Sequence, residues 1–228
     1  PLYSSAASDV YKRQEYTFTT FFTNTFSIVI PSTVFIIVSC LLVAYGFARF
    51  EFPMKKFLFT AMMATLMLPS AVIIIPRYML FKQFGWLDTY LPFIVPAMFA
   101  GNSFFIFQLV QFFRGIPREL DEAASIDGCG SFRTLVRILM PLCKPALVSV
   151  GLFNFIWTWN AFMDPLIYIS SVKKYPLSLA LRMTLDLGSA AAWNEIFAMS
   201  VLSILPPVLL FFAGQKYFIQ GISTSGLK

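Results

Sequence analysis

Residues 16–48 read YTFTTFFTNTFSIVIPSTVFIIVSCLLVAYGFA, a run without Asp, Glu, Lys or Arg. A helix needs about 20 predominantly apolar residues to cross the hydrocarbon core of a bilayer, and this run exceeds that length. Windows 57–76, 89–113, 145–163 and 196–215 are charge-free as well. Only 12% of the 228 residues are charged and 58% are hydrophobic. A soluble domain carries about a quarter charged residues. A very apolar soluble core is the competing reading. The confinement of charge to the gaps between the windows rejects it. The chain is expected to be an all-α, polytopic membrane helix bundle whose helices satisfy their own backbone hydrogen bonds.

Spans are expected near 24–47, 57–81, 92–113, 143–170 and 196–218. Five crossings divide the basic residues into two groups. One holds Arg49, Lys55, Lys56, Arg114, Arg118, Arg133, Arg137, Lys144, Lys216 and Lys228. The other holds Arg77, Lys82, Lys173, Lys174 and Arg182, with Lys12 and Arg13 near the start. Basic residues favour the cytoplasmic side, so the ten-residue group is assigned there and the seven-residue group outside. The loop around residue 120 and the C-terminus then face the cytoplasm. The net charge of +6 is explained by this asymmetry rather than by nucleic-acid binding. Residues 1–14, PLYSSAASDVYKRQ, match no signal-peptide pattern. They resemble translated adapter sequence and are read as a non-native leader before one membrane domain at 15–228. Six helices are expected in the intact protein. Prolines 31, 69, 76, 96, 165, 206 and 207 predict kinked helices.

Between the third and fourth spans lies a polar segment, residues 119–128, ELDEAASIDG. Pro117 suits a first helical position. Glu119, Asp121 and Glu122 favour a helix N-terminus, and Gly128 suits a left-handed stop. The pattern predicts a short helix over 117–127, with Ser131 capping the next helix. Leu120, Ala123, Ala124 and Asp127 share one face at three- and four-residue spacing. Two alanines make that face flat enough for close approach by another surface. From these residues alone, a docking helix and an amphipathic connector on the membrane surface both remain open.

Residues 119–147, ELDEAASIDGCGSFRTLVRILMPLCKPAL, resemble the EAA loop of binding-protein-dependent ABC importer permeases. Glu122, Ala123, Ala124 and Gly128 match the motif, and Met140-Pro141 stands where the family has Leu-Pro. FPMKKF (52–57), LPSAVIIIPRYMLFKQFGWLDTYLP (68–92) and FIWTWNAFMDPLIYISSVKKYPLSLAL (155–181) resemble the carbohydrate-importing, MalG-type branch. Ala161 follows Asn160 where that family often has an acidic residue. The resemblance spans about residues 15–228 and leaves the family's first transmembrane helix without a counterpart. It implies a multi-pass subunit of a bacterial or archaeal plasma membrane that works by alternating access. Partners implied are an ABC ATPase dimer, a second permease subunit, an extracytoplasmic sugar-binding protein and membrane lipid, with no nucleic acid. ATP and Mg would bind the ATPase, with no cofactor on this chain. The ATPase-docking residues implied are Glu119, Leu120, Glu122, Ala123, Ala124, Asp127 and Gly128.

Chemistry of its own is not expected. The chain has no GxxxxGK[ST] phosphate loop, and GCGSFR at 128–133 reads as a turn. Without histidine, a Ser or Cys nucleophile has no histidine base. Cys40, Cys129 and Cys143 lack metal-site spacing and read as inert thiols. Polar groups within spans face a cavity or a partner helix. Candidates for a translocation path are Asn102, Asn154, Trp157, Trp159 and Asn160. Ser103, Thr158 and Asp164 stand nearby. Aromatic faces suit sugar rings and amides suit hydroxyls. Tryptophans at an interface belt and asparagines as helix glue are the alternatives. Competing functions are an ABC importer for a polyamine or peptide, and an ion-driven secondary transporter. The latter usually shows paired repeats, and none is evident.

Overall fold

The computed structural model describes residues 17–186 and 193–225. The expected leader at 1–14 lies outside the described residues. Among these residues every regular element is helical: α1 (Phe18–Arg49), α2 (Lys55–Thr65), α3 (Ser70–Gln83), α4 (Leu91–Met98) and α5 (Ser103–Arg114) come first. They are followed by α6 (Glu119–Ile126), α7 (Ser131–Leu142), α8 (Lys144–Trp159), α9 (Met163–Tyr168), α10 (Leu177–Asp186) and α11 (Trp193–Ser225).

Helix α1 has 32 residues, about 48 Å at 1.5 Å per residue. Pro31 lies inside it. Its hydroxyls do not compete with the helix, because Thr25 and Ser27 donate to the carbonyls of Phe21 and Thr23 at 2.9 Å each. Such back-bonding satisfies a hydroxyl where water is absent. α1 is the central post. It packs against α4, α5 and α8, and α8 packs in turn against α11.

Among the described residues three segments are long and apolar enough to cross a membrane: Phe18–Arg49, Leu91–Arg114 and Ile196–Lys216. Ser131–Leu142 with Lys144–Trp159 makes a fourth if this pair, bent by 78°, is one span. The bend falls at Cys143, between Pro141 and Pro145, two residues without an N–H to continue a ladder. The expected span 57–81 is two helices, α2 and α3, separated at Leu66–Pro69. Pro69 takes an extended conformation (φ −60°, ψ 135°) and starts the second helix rather than kinking the first. The expected span 92–113 is likewise interrupted, between Met98 and Ser103. The expected span 143–170 stops at Asn160 and resumes as α9. Pro206 and Pro207 lie within the continuous α11.

Two cores hold the bundle. The larger gathers Cys40, Ala44 and Ala48 of α1, Phe105, Leu109 and Phe113 of α5, and Leu135 and Leu139 of α7. The smaller joins Phe21 and Val29 of α1 to Trp159, Leu177 and Ala180. Polar bonds cross between helices at intervals. Ser39 donates to the Ala97 carbonyl at 2.6 Å, Gln108 to Ser149 at 3.0 Å, and Asn154 to Thr33 at 3.0 Å. Between apolar helices in lipid, such bonds add specificity that hydrophobic burial does not. The thiols of Cys40, Cys129 and Cys143 are free.

Candidate functional site

Two places stand out, one on the loop joining α5 to α7 and one inside the bundle. The loop carries α6. Its eight residues begin at Glu119 rather than at Pro117. Arg118 occupies the cap, and its carbonyl accepts from Asp121 and Glu122 at 2.9 and 3.1 Å. Pro117 therefore precedes the helix instead of opening it. The acidic first turn of Glu119, Asp121 and Glu122 is present as expected, complementing the positive end of the helix dipole. Gly128 adopts φ +74°. The amide of Gly128 bonds the Ser125 carbonyl at 3.1 Å and that of Cys129 bonds Ala124 at 2.8 Å. That pair of bonds is the Schellman stop, and its left-handed residue favours glycine. Ser131 does not cap the next helix. Gly130 is the cap, and Ser131 is the first helical residue with no capping bond.

The face of α6 turned outward differs from the expected one. Ala124 is 2% exposed and packs inward, whereas Ile126 is 87% exposed. Glu119, Glu122, Ala123 and Asp127 are exposed too, so Ala124 leaves the expected docking face and Ile126 joins it. Asp121 shares the inward side with Ala124, and its carboxylate lies 3.0 Å from Nε of Arg49 at the end of α1. Size and spacing of the alanines carry no trace of an arginine 72 positions earlier that meets the inward carboxylate.

The second place is a polar cavity of about 240 Å³ between α1, α3, α4 and α8. Asn102, Asn154, Trp157 and Thr158 line it, with Arg77 and Asp164. Asn102 caps α5, its side chain accepting the Phe104 amide at 3.1 Å. It is presented there by a break in which Ala100 is left-handed (φ 54°) and Gly101 passes the Pro96 carbonyl. A Cβ at Gly101 would lie 2.7 Å from that backbone oxygen, so only glycine fits without a shift. Trp157 is 48% exposed and stacks on Phe105 at 5.2 Å between ring centroids. Arg77 and Asp164 approach to 4.0 Å, a loose ion pair at the cavity wall. Arg77, one of the basic residues expected on the outer side, lies inside α3 at this cavity wall.

Two expected path residues, Trp159 and Asn160, lie elsewhere, as does Ser103 beside them. Trp159 is 5% exposed, and its indole N–H donates to the Ser203 carbonyl at 3.0 Å. It stacks on Phe155 and meets Phe22 and Phe26 edge-on, so it is a core residue joining α1, α8 and α11. Asn160 turns back to the Ile156 carbonyl at 2.8 Å and ends α8. Ser103 shares a hydrogen bond with Thr65 at 2.8 Å, tying the broken ends of α2 and α5 together. A two-residue step along a helix turns a side chain about 200°. Trp157 and Trp159 therefore face opposite ways.

A third cluster centres on Asp88. Asp88, left-handed at φ 57°, lies in the turn between α3 and α4 and staples the segment after α9. Its carboxylate accepts from the Ser170 amide at 3.1 Å, and from the Ser171 amide and hydroxyl at 2.8 and 2.6 Å. The Lys174 ammonium lies 2.9 Å away. Burial opposes ionisation of Asp88. The bonds from Ser171, Lys174 and Ser170 outweigh it and hold the carboxyl well below the usual carboxylate range. The signal available in sequence was Asp88 itself, two residues before the Tyr-Leu-Pro that opens α4.

Broken helices thus surround a polar cavity, and a short helix sits on the loop outside the bundle. Residues 37–224 match the family described as "Binding-protein-dependent transport system inner membrane component". The chain belongs to this family, and it is a multi-pass permease subunit of an ABC importer. It is similar to the sn-glycerol-3-phosphate transport system permease protein UgpE of Brucella melitensis, 34% identical over 200 residues, covering 87% of this chain and 70% of that protein. It is also similar to "Probable ABC transporter permease protein PH1036" of Pyrococcus horikoshii, 31% identical over 87% of this chain and 72% of that one. Among solved structures, a bacterial ABC transporter involved in import of the acidic polysaccharide alginate shares the fold. Its TM-score is 0.79 at 24% identity, over 92% of this chain and 79% of that chain.

Proposed function

We propose that this permease imports a sugar or related polyol. In this reading the cavity beside Trp157 forms one wall of the translocation path. The observation that carries it is the composition of that cavity, which joins an exposed indole face to the amides of Asn102 and Asn154 and the Arg77–Asp164 pair. Sugar rings present apolar faces to indoles and hydroxyls to planar polar groups. One cation beside one anion leaves little net charge, which favours a hydroxylated solute over a polyamine. The name of a relative, for sn-glycerol-3-phosphate transport, supports a hydroxylated cargo. At about 240 Å³ the cavity is smaller than the roughly 300–1,000 Å³ of ordinary ligand pockets. A second permease would supply the opposite wall.

In this reading the α5–α7 loop and the C-terminus face the cytoplasm, where α6 docks on an ABC ATPase dimer that binds ATP and Mg. The outward residues Glu119, Glu122, Ala123, Ile126 and Asp127 make that contact. Leu120 and Gly128 border it, and Ala124 seats the helix from behind. A sugar-binding protein delivers solute from outside. ATP drives the two-state change through the ATPase's different affinities for the two positions of α6.

Uptake of a labelled panel tests the cargo: neutral mono- and disaccharides, sn-glycerol-3-phosphate, an acidic oligosaccharide and a polyamine. The importer is reconstituted with its ATPase, second permease and binding protein. Saturable, ATP-dependent uptake of a hydroxylated solute, weakened by Trp157→Ala, supports the reading. Uptake of the polyamine alone would overturn it.

A further inference from the structure

The last turns of α1 meet the α5–α7 segment at four places. Arg49 donates from its guanidinium to the Ile116 carbonyl at 3.0 Å, just before α6. The same side chain faces the Asp121 carboxylate at 3.0 Å, within α6. Tyr45 donates its hydroxyl to the Ser131 carbonyl at 3.1 Å, just after α6. Arg118 returns a long contact of 3.5 Å to the Ala48 carbonyl. Arg49 is 7% exposed at its side chain. A buried guanidinium is retained only where it is paired.

The joint is not fully closed. Nε of Arg49 and Oδ2 of Asp121 are within ionic contact, yet their alignment makes no hydrogen bond, and both atoms are buried. The pair itself lines a cleft of about 240 Å³, with Tyr45, Arg118 and Glu122. There is space for α6 to shift, and an ion pair able to follow it.

Above this joint, Ser32 and Ile36 of α1 line the polar cavity, and Thr33 accepts from Asn154. From Arg49 to Ser32 is 17 residues, about 25 Å of continuous helix at 1.5 Å per residue. We propose that Arg49 is a positioning residue that couples α6 to α1. Displacement of α6 then moves α1 as a rod and reshapes the cavity wall. Transmission does not run only through the covalent neighbours α5 and α7. This rests on the reading of α6 as the ATPase-docking helix. Coupling needs a linked element that both sites bias, and α1 touches both.

The test uses the full chain co-expressed with its ATPase and second permease. Cys129→Ser removes the partly exposed thiol; Cys40 and Cys143 are fully buried. Ser32→Cys then reports the cavity wall through its rate of labelling by a water-soluble methanethiosulfonate, with and without Mg-ATP and vanadate. Arg49→Met breaks the joint. Arg49→Met with Asp121→Asn breaks it without leaving an unpaired charge, so folding is preserved even if the single variant is unstable.

The parent is expected to change labelling rate at least about fivefold with nucleotide, and the double variant less than about twofold, with ATPase co-purifying equally from both. A full nucleotide response in the double variant would overturn the inference, as would a parent that binds ATPase without any response at position 32. Loss of ATPase from the variant alone would make Arg49 a support of the docking surface, not a relay, and also overturn it. Failure of the parent itself to capture ATPase would remove the docking-helix reading and this inference with it.

Discussion

Trp157 and Trp159 are two positions apart, and their surroundings give them opposite duties. Trp159 is packed on Phe155, Phe22 and Phe26 with its N–H satisfied. Trp159→Ala should destabilise the protein by about 3–5 kcal/mol, as for other large-to-small core changes. Trp157→Ala should cost far less stability and act on uptake instead. Thermal unfolding of the detergent-purified protein separates them, and equal losses would remove the distinction. Asp88 makes a second residue-scale prediction. Its folded carboxyl titrates below its unfolded value of about 3.9. Its stabilisation is therefore full above pH 4 and is lost as pH falls through the folded value. Asp88→Asn should lower stability at neutral pH by about 1 kcal/mol, discounted for partial exposure. The gap between variant and parent should close on acidification. A gap that widened in acid would refute this account of the staple.

At the scale of an element, α6 shows how a short helix is specified by its ends and oriented by its contacts. Acidic residues and Gly128 mark its start and stop in the sequence, and both are present in the fold. In the fold Asp121 faces Arg49, Ala124 lies inward and Ile126 outward. Ile126→Arg should leave the fold intact and abolish ATPase capture in a mild-detergent pull-down. Ala124→Arg should place a charged side chain where 2% of the residue is exposed and reduce the yield of folded protein. If Ile126→Arg captured ATPase as the parent does, α6 would be a connector and docking would lie elsewhere. The broken spans teach the same lesson. Pro69 is visible in the sequence as punctuation, but whether a proline kinks a helix or ends it depends on its neighbours. Pro31 and Pro206 sit within continuous helices, whereas Pro69 opens a new one.

At the scale of the molecule, the three cysteines report both burial and orientation. Cys40 and Cys143 are fully buried, while Cys129 is partly exposed beside α6. A membrane-impermeant maleimide should label Cys129 in inside-out vesicles and not in right-side-out vesicles, with no labelling at the other two thiols. Labelling from the outer side would reverse the orientation inferred from the basic residues. The sequence by itself determined the class of architecture. A charge-free run such as 16–48 can satisfy its backbone in lipid only as a helix, and the EAA pattern marked the loop between α5 and α7. Only the tertiary structure decided which polar residues share a cavity and which hold the bundle together. Arg77 meets Asp164 across 87 positions, and Arg49 meets Asp121 across 72. Local composition is enough to choose a helix, because its hydrogen bonds close within four residues. Partners brought together by the packing of separate helices leave no such mark along the chain.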